Sequence, residues 1–229
     1  MAIVGIDKLS LLDYEDKVSV VLFAKNCNFR CPFCHNGDSV LNAQGEINFD
    51  EILAYLKTRI GLVDAVVFSG GEPTLEDDLE VKIKEVKKLG FLIKLDTNGT
   101  NPELLEKLLD EGVVDYVAMD IKNSPSLYAE TCGVNFIDLD KIKNSIAIIM
   151  SKAPDYEFRT TLVKEFHERM NYDAFYESIK GAKKLYLQKF VDREGCIKKG
   201  LHDVDELEAT KLRDYLLSKG LEFVELRGY

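Results

Sequence analysis

Short apolar runs alternate with amphipathic segments along most of this chain. Each run is bounded by polar or glycine-containing residues, as expected of buried β-strands. The runs occupy 18–24, 63–68, 91–95, 113–119, 158–163 and 185–191, with a shorter one at 223–226. The segments between them carry apolar residues three and four positions apart, which predicts helices with one buried face. Strands and helices that alternate at this spacing predict parallel strand pairing through right-handed crossovers.

Several helix boundaries carry their own sequence signals. Asn48 begins a capping-box pattern, which predicts that a helix starts directly after it. Asn101 followed by Pro102 predicts a cap and a first helical residue. The last helix is predicted at 203–218, with Asp203 as its cap.

The number of predicted strand–helix units limits the choice of fold. Six strand–helix units fit the 229 residues, whereas a complete TIM barrel has eight units in about 250 residues. We therefore expect one α/β domain over 1–229, an incomplete TIM-like barrel of about six βα units with parallel strands. A flat, doubly wound sheet produces the same pattern and is the alternative.

Composition limits the classes of binding partner and the cell compartment that we expect for this protein. The net charge of −10 argues against nucleic acid, because few cations are available to neutralise phosphates. The apolar runs are too short to span a membrane, and no signal peptide is visible at the start. Five cysteines, three of them clustered, do not suit a secreted disulfide framework. These observations predict a protein of the reducing cytoplasm.

The cysteines lie in a loop at 25–37, directly after the first predicted strand. Cys27, Cys31 and Cys34 follow the spacing C-x3-C-x2-C and supply three thiolates. A closed structural zinc site has four ligands, so three leave one metal position open. Thiolates also suit an iron–sulfur cluster in which one iron remains free to bind another molecule. A zinc knuckle completed by Cys132, Cys196 or a histidine is the alternative.

Further polar residues fall where the next predicted strands end. In parallel α/β folds the carboxyl ends of the strands share one face, and ligands bind there. The residues are Ser69, Gly70, Gly71 and Glu72 after the second strand, Asp96, Thr97 and Asn98 after the third, Asp120 and Lys122 after the fourth, and Arg159 within the fifth. Each also has a purely structural interpretation, as a turn or a buried ion pair. Their convergence beside the cysteine loop favours a ligand site.

These motifs together resemble the radical S-adenosylmethionine (SAM) superfamily. Cys-Asn-Phe-Arg-Cys-Pro-Phe-Cys-His-Asn, Phe-Ser-Gly-Gly-Glu-Pro and Tyr-Val-Ala-Met-Asp-Ile-Lys follow one another as in the activating enzymes of glycyl radical enzymes. The likeness extends over nearly the whole chain. It is strongest to the activating proteins of anaerobic ribonucleoside-triphosphate reductase, and the pyruvate formate-lyase activating enzyme is similar in the same places.

The resemblance implies a cofactor set and a role for each matching residue. Cys27, Cys31 and Cys34 would hold a [4Fe–4S] cluster whose open iron is chelated by SAM. Phe33 would lie against the adenine, and Ser69, Gly70, Gly71 and Glu72 would bind the methionine amino group. Lys122 and Arg159 would lie near the carboxylate and the ribose. Asp96, Thr97 and Asp120 match positions that bind a monovalent cation, and Asn98 and Gln188 are also expected in the cofactor site.

The resemblance also implies a reaction and partners. The chain would cleave SAM reductively to a 5′-deoxyadenosyl radical and install a glycyl radical on an anaerobic (class III) ribonucleotide reductase, with a flavodoxin or ferredoxin as electron donor. Activation of pyruvate formate-lyase or another glycyl radical enzyme is an alternative. So is a radical reaction on a small molecule, as in 7-carboxy-7-deazaguanine synthase. The match around Gln188 and the absence of histidine at Val191 favour the reductase branch.

Two loop segments depart from the family pattern. Asn26 stands where relatives often have glycine, and the run from Asp13 to Asp16 replaces an expected Pro-Gly turn. Both changes are expected to alter the path of the chain into the cysteine loop.

Overall fold

A computed structural model describes residues 2–42 and 45–229. The described residues form one eight-stranded sheet whose spatial order follows the chain. The strands are β1 (Ile3–Ser10), β2 (Ser19–Ala24), β3 (Ala65–Gly70), β4 (Leu92–Thr97), β5 (Tyr116–Asp120), β6 (Tyr156–Leu162), β7 (Leu185–Lys189) and β8 (Val224–Arg227). β1 pairs antiparallel with β2, and every later pair is parallel.

This order decides between the two predicted topologies. A doubly wound sheet reverses its strand order at a switch point, and here each strand lies beside the next one in the chain. The prediction of an incomplete parallel barrel is therefore confirmed, and the flat alternative is wrong. β1 was missed because the exposed, charged residues Asp7 and Lys8 interrupt its apolar pattern.

Helices connect the parallel strands and cover one face of the sheet. The described residues form α1 (Gly37–Leu41), α2 (Phe49–Lys57), α3 (Leu79–Lys88), α4 (Pro102–Asp110), α5 (Tyr128–Thr131), α6 (Leu139–Lys152), α7 (Lys164–His167), α8 (Tyr172–Ile179) and α9 (Glu206–Ser218). No helix in these ranges is both long and apolar enough to cross a membrane.

Side-chain caps fix several of the helix starts. Asn48 accepts a hydrogen bond from the Asp50 N–H, and Asn101 accepts one from the Leu104 N–H, as the sequence predicts. The predicted cap of α9 is wrong by two residues, because Asp205 is the residue that caps the helix. Asp203 instead forms an isolated bridge with Val163 and an ion pair with Lys189.

The two faces of the sheet bury different side chains. Outward residues such as Val20, Leu22 and Phe68 form the main core with the helices. The inner face carries a small apolar cluster that includes Val67 and Tyr116. It also holds charged side chains, which makes it the face on which a polar ligand could bind.

The connection between β1 and β2 covers the inner face at the amino ends of the parallel strands. Tyr14 is buried there with its ring centroid 5.2 Å from that of Tyr116. Lys94 Nζ donates to the Asp13 carbonyl, and the Tyr186 hydroxyl lies 3.4 Å from Glu15. The expectation that this segment shapes the path into the cysteine loop is wrong, because that loop follows β2 at the opposite end of the sheet.

Candidate active site

The cysteine loop leaves the carboxyl end of β2 and brings its three thiols to one cavity. Hydrogen bonds from the Cys34 N–H to the Cys31 carbonyl (3.0 Å) and from the Gly37 N–H to the Cys34 carbonyl (3.2 Å) form consecutive turns. Cys27, Cys31 and Cys34 all line the cavity, which has a volume of about 190 Å³. None of them is in a disulfide.

The diglycine after β3 supports this loop by close backbone contact. The Gly71 N–H donates to the Ala24 carbonyl (2.8 Å), and the Glu72 N–H donates to the Asn26 carbonyl (2.6 Å). A Cβ at Gly70 would lie 2.5 Å from the Ala24 nitrogen, and one at Gly71 would lie 2.1 Å from the Asn26 oxygen. The resemblance implies that these glycines help to bind the methionine amino group. In the structure they line the cavity, and they also admit the backbone of the cysteine loop.

Two other segments hold the cysteine loop from its remaining sides. The Arg30 N–H donates to the Cys132 carbonyl (2.8 Å), and a Cβ at Gly133 would lie 2.2 Å from the Arg30 oxygen. The Lys198 N–H donates to the Pro32 carbonyl (2.7 Å). The loop is thus fixed by backbone contacts that its own sequence does not reveal.

The pKa values of the three thiols are shifted in different directions. Burial raises the pKa of Cys27 to about 12 and also raises the pKa of Cys34. The pKa of Cys31 is lowered, because the Cys132 thiol donates a hydrogen bond to it. Metal ligation requires thiolates, so binding at this loop must displace protons from Cys27 and Cys34. Of the two cysteines considered as a fourth ligand, Cys132 touches Cys31, while Cys196 Sγ lies 3.9 Å from the Phe33 carbonyl.

The predicted polar residues converge on the same cavity, with two exceptions. The lining includes Phe33, Ser69, Gly70, Gly71, Asp96, Thr97, Asn98, Asp120, Lys122 and Arg159. Glu72 and Gln188 are not part of it. The cavity is also lined by residues that were not assigned to the site from the sequence, namely Phe29, Val40 and Thr161, together with His35 and Asn36 from the end of the cysteine motif.

Arg159 joins two carboxylates at the cavity wall. Its Nε lies 2.9 Å from Asp120 Oδ1, and one terminal nitrogen lies 3.3 Å from Asp96 Oδ2. Lys122 Nζ lies 2.9 Å from Asp120 Oδ2. Burial alone would raise the pKa of Asp120, but the charges of Arg159 and Lys122 hold it well below its ordinary value. Asp120 is therefore ionised at neutral pH.

A second layer of charges lies beneath this wall. Lys94 Nζ is 3.8 Å from Asp96 Oδ1 and 3.6 Å from Glu157 Oε1, and both oxygens are buried without a hydrogen-bond partner in the described structure. Lys94 and Glu157 are only 3% and 2% exposed. The sequence analysis missed both. The signal was available, because Lys94 precedes Asp96, and Glu157 precedes Arg159, by the two-residue period that places side chains on one face of a strand.

The proposed cation ligands are mostly engaged with other groups. Both Asp120 oxygens are paired with cations, and Thr97 Oγ1 donates to Glu72 Oε1 (2.8 Å). Of the carboxylate oxygens of Asp96 and Asp120, Asp96 Oδ1 alone has no hydrogen bond within the described residues. The structure thus brings these residues together but gives a cation few free oxygens.

Glu72 connects the loops that follow β3 and β4 from below the cavity. It is fully buried, and its carboxylate accepts hydrogen bonds from the Thr74 N–H and hydroxyl, the Thr97 hydroxyl and the Asn98 N–H. Burial raises its pKa, and these hydrogen bonds oppose the rise. In this position Glu72 organises the residues that line the cavity.

The comparisons with known proteins identify the family. The model of the radical SAM superfamily matches residues 21–172, a range that contains the cysteine loop, the diglycine and the acidic wall of the cavity. The chain belongs to the radical SAM superfamily. This family implies a [4Fe–4S] cluster and SAM, and the three thiols at one cavity fit that ligand set. Family membership thereby favours the cluster over the zinc knuckle.

This radical SAM enzyme is similar to individual proteins in sequence and to solved structures in fold. A Methanocaldococcus jannaschii protein whose name proposes it as a glycyl-radical enzyme activating enzyme is 34% identical over 195 residues, which are 83% of this chain and 80% of that protein. A radical SAM methyltransferase structure from Sphaerobacter thermophilus superposes with a TM-score of 0.73 at 14% identity, over 96% of this chain and 68% of that one. A domain of the pyruvate-formate lyase-activating enzyme from Bacteroides vulgatus gives a TM-score of 0.58 at 18% identity, over 72% and 99% of the two chains.

Proposed function

We propose that this chain activates a glycyl radical enzyme, and that its target is an anaerobic ribonucleotide reductase. One observation supports activation above the others: a relative named for this role matches about four fifths of both chains at 34% identity. The reductase branch is supported by the sequence around Gln188 and by Val191 in place of a histidine. A flavodoxin or ferredoxin of the reducing cytoplasm is the proposed electron donor.

The proposed cofactor roles follow the charges of the cavity. When bound, the reduced cluster and SAM supply one-electron cleavage of the sulfonium and a 5′-deoxyadenosyl radical that removes a hydrogen atom from the substrate. Lys122 and Arg159 would offset the carboxylate of SAM, and backbone groups from Ser69 to Gly71 would bind its amino group. Phe33, whose ring packs against Phe166 and Phe190, would contact the adenine.

The cavity walls would also limit where the radical can react. The cysteine loop lines one part of the cavity, and Arg159 and Thr161 of β6 line another. A hydrogen atom that is to be removed must therefore reach the cavity from the inner face of the sheet. A glycine on a mobile loop of a partner protein can do so when the two proteins dock.

An anaerobic mixing experiment tests the proposal. Reduced, cluster-loaded protein is combined with SAM and the reductase from the same cell, and EPR is recorded. We expect a glycyl doublet and one 5′-deoxyadenosine per radical, with no doublet from Cys31→Ala. The proposal is wrong if no glycyl radical enzyme of the cell gives the doublet while a small molecule supports turnover.

A further inference from the structure

Three polar side chains form a row across the inner face of β6, β7 and β8. Thr161, Gln188 and Arg227 are in register, since Thr161 pairs with Gln188 and Gln188 pairs with Arg227. Thr161 lines the cavity, while β8 pairs only with β7 among the described strands. The row therefore leads from the site of radical formation to an edge of the sheet.

Several hydrogen-bond donors and acceptors of this row have no partner within the described residues. Gln188 Oε1 accepts only a long bond from the Thr161 hydroxyl (3.4 Å), and its Nε2 has no partner in the described ranges. Arg227 donates one bond to Glu157 (3.3 Å) and stacks on the Tyr186 ring at 3.4 Å, so other guanidinium N–H groups remain free. All three side chains are half-buried. Polar groups in such a position are stabilised when a ligand completes their hydrogen bonds.

The chemistry of these groups favours a peptide backbone as the ligand. Neighbouring strands are about 4.8 Å apart, so the row spans about 10 Å, roughly three residues of an extended peptide. An amide and a hydroxyl can each donate and accept, which matches the alternating N–H and C=O groups of a main chain. Arg227 is offset by Glu157, so the row offers no strong site for a phosphate.

We propose that Thr161, Gln188 and Arg227 bind the main chain of the segment that carries the target glycine. Glycine has no side chain, so the groups that it offers for recognition are those of its backbone. This inference rests on the proposed function, and it moves Gln188 from the cofactor site to the substrate path. Thr161, at the inner end of the row, would deliver the glycine to the cavity.

Binding of a synthetic peptide tests whether these three side chains hold the segment around the target glycine. The probe carries the target glycine and its neighbours from the anaerobic reductase of the same cell, and its dissociation constant is measured on cluster-free and on cluster-loaded protein. Gln188→Ala and Thr161→Val should each weaken binding about tenfold, the effect of one or two lost hydrogen bonds. Lys189→Ala is the matched control, because Lys189 is the next residue on β7 and points to the opposite face. The control should bind as the wild type does.

Two further readouts separate the possible failures. With intact reductase, Gln188→Ala should raise the KM for the reductase more than it lowers kcat, with an unchanged midpoint of thermal unfolding. The proposal is wrong if both variants bind the peptide as tightly as the wild type does. It is also wrong if Gln188→Ala loses affinity for SAM but not for the peptide. If the wild type forms the glycyl radical on intact reductase but does not bind the peptide, this inference fails alone. If it forms that radical on no partner, the proposed function fails as well.

Discussion

Arg159 is a charged side chain inside a β-strand, and its partners explain how the fold tolerates it. It lies between Asp96 and Asp120, and Glu157 Oε1 is 3.8 Å away. Buried charges are stable only when they are paired, and here the cations and carboxylates neutralise one another across three strands. Lys122 is at the edge of this group with one carboxylate partner, so it can interact with a ligand at less structural cost.

Replacement of Lys122 therefore separates ligand binding from folding. In Lys122→Met we expect the affinity for SAM to fall by about 1–3 kcal/mol, the usual contribution of a charged hydrogen bond. Titration of cluster-loaded protein measures it, with the exposed, paired Lys88→Met as control. Unchanged affinity together with a lower midpoint of unfolding would mean that Lys122 serves only its ion pair with Asp120.

Replacement of Glu72 should instead reduce the stability of the fold. In Glu72→Ala the donors of Thr74, Thr97 and Asn98 lose their shared acceptor in a buried site. We expect the free energy of unfolding to fall by about 3 kcal/mol, measured by urea denaturation. Glu222→Ala, at an exposed position, should change it by less than about 0.5 kcal/mol. A stable Glu72→Ala variant that has lost only SAM affinity would restore the direct binding role expected from the resemblance.

At the scale of elements, the cysteine loop depends on the turn that follows β3. A methyl group at Gly71 would collide with the Asn26 carbonyl, so the loop and the turn must separate. We expect Gly71→Ala and Cys31→Ala each to lose most of the bound iron after anaerobic reconstitution. Gly5→Ala is the control, because its Cβ would meet Phe23 at an acceptable 3.4 Å. Full iron content in Gly71→Ala would show that the loop tolerates another path.

The short helix α7 supports the strand-end loop that carries Lys122. His167 Nδ1 accepts from the Val163 N–H (3.0 Å), and Nε2 lies 2.9 Å from the Lys122 carbonyl, to which it donates in the neutral form. Burial lowers the pKa of His167, so the folded state favours neutral imidazole. The contribution of His167 to stability is therefore complete above its unfolded pKa of about 6.5 and is lost as the pH falls through the lowered folded value.

A pH series tests this linkage. Below pH of about 6.5, the stability of the wild type should decrease by up to about 1.4 kcal/mol per pH unit through His167 alone. His167→Gln should remove that component of the slope, whereas His202→Gln, at an exposed position, should retain it. Equal slopes in the wild type and His167→Gln between pH 5 and 6.5 would contradict the assignment.

For the molecule as a whole, the sequence predicted what depends on local patterns. Strand and helix periodicity placed the polar loops on one face, and that face is where the cavity lies. The sequence could not predict that Glu72 points beneath the cavity, because its hydrogen-bond partners Thr97 and Asn98 come from a strand end 25 residues or more away. Gln188 was likewise assigned by similarity, while its distance from the cavity depends on strand register. Long-range contacts of this kind leave no trace in a single local segment.

The open sheet gives the whole chain its proposed role. The cavity lies where the parallel strands end, and the polar row continues from it towards β8. This arrangement suits a substrate that is part of another protein. The central claim is therefore that the hydrogen atom removed by the radical comes from a glycine of a partner protein.

Transfer of deuterium measures this claim most directly. The anaerobic reductase is produced with glycine that carries deuterium at both α positions, and it is then mixed with reduced, cluster-loaded protein and SAM. Mass spectrometry of the 5′-deoxyadenosine should show one deuterium atom per molecule, in step with the growth of the glycyl radical. Unlabelled 5′-deoxyadenosine, formed while a small molecule is converted, would contradict the claim.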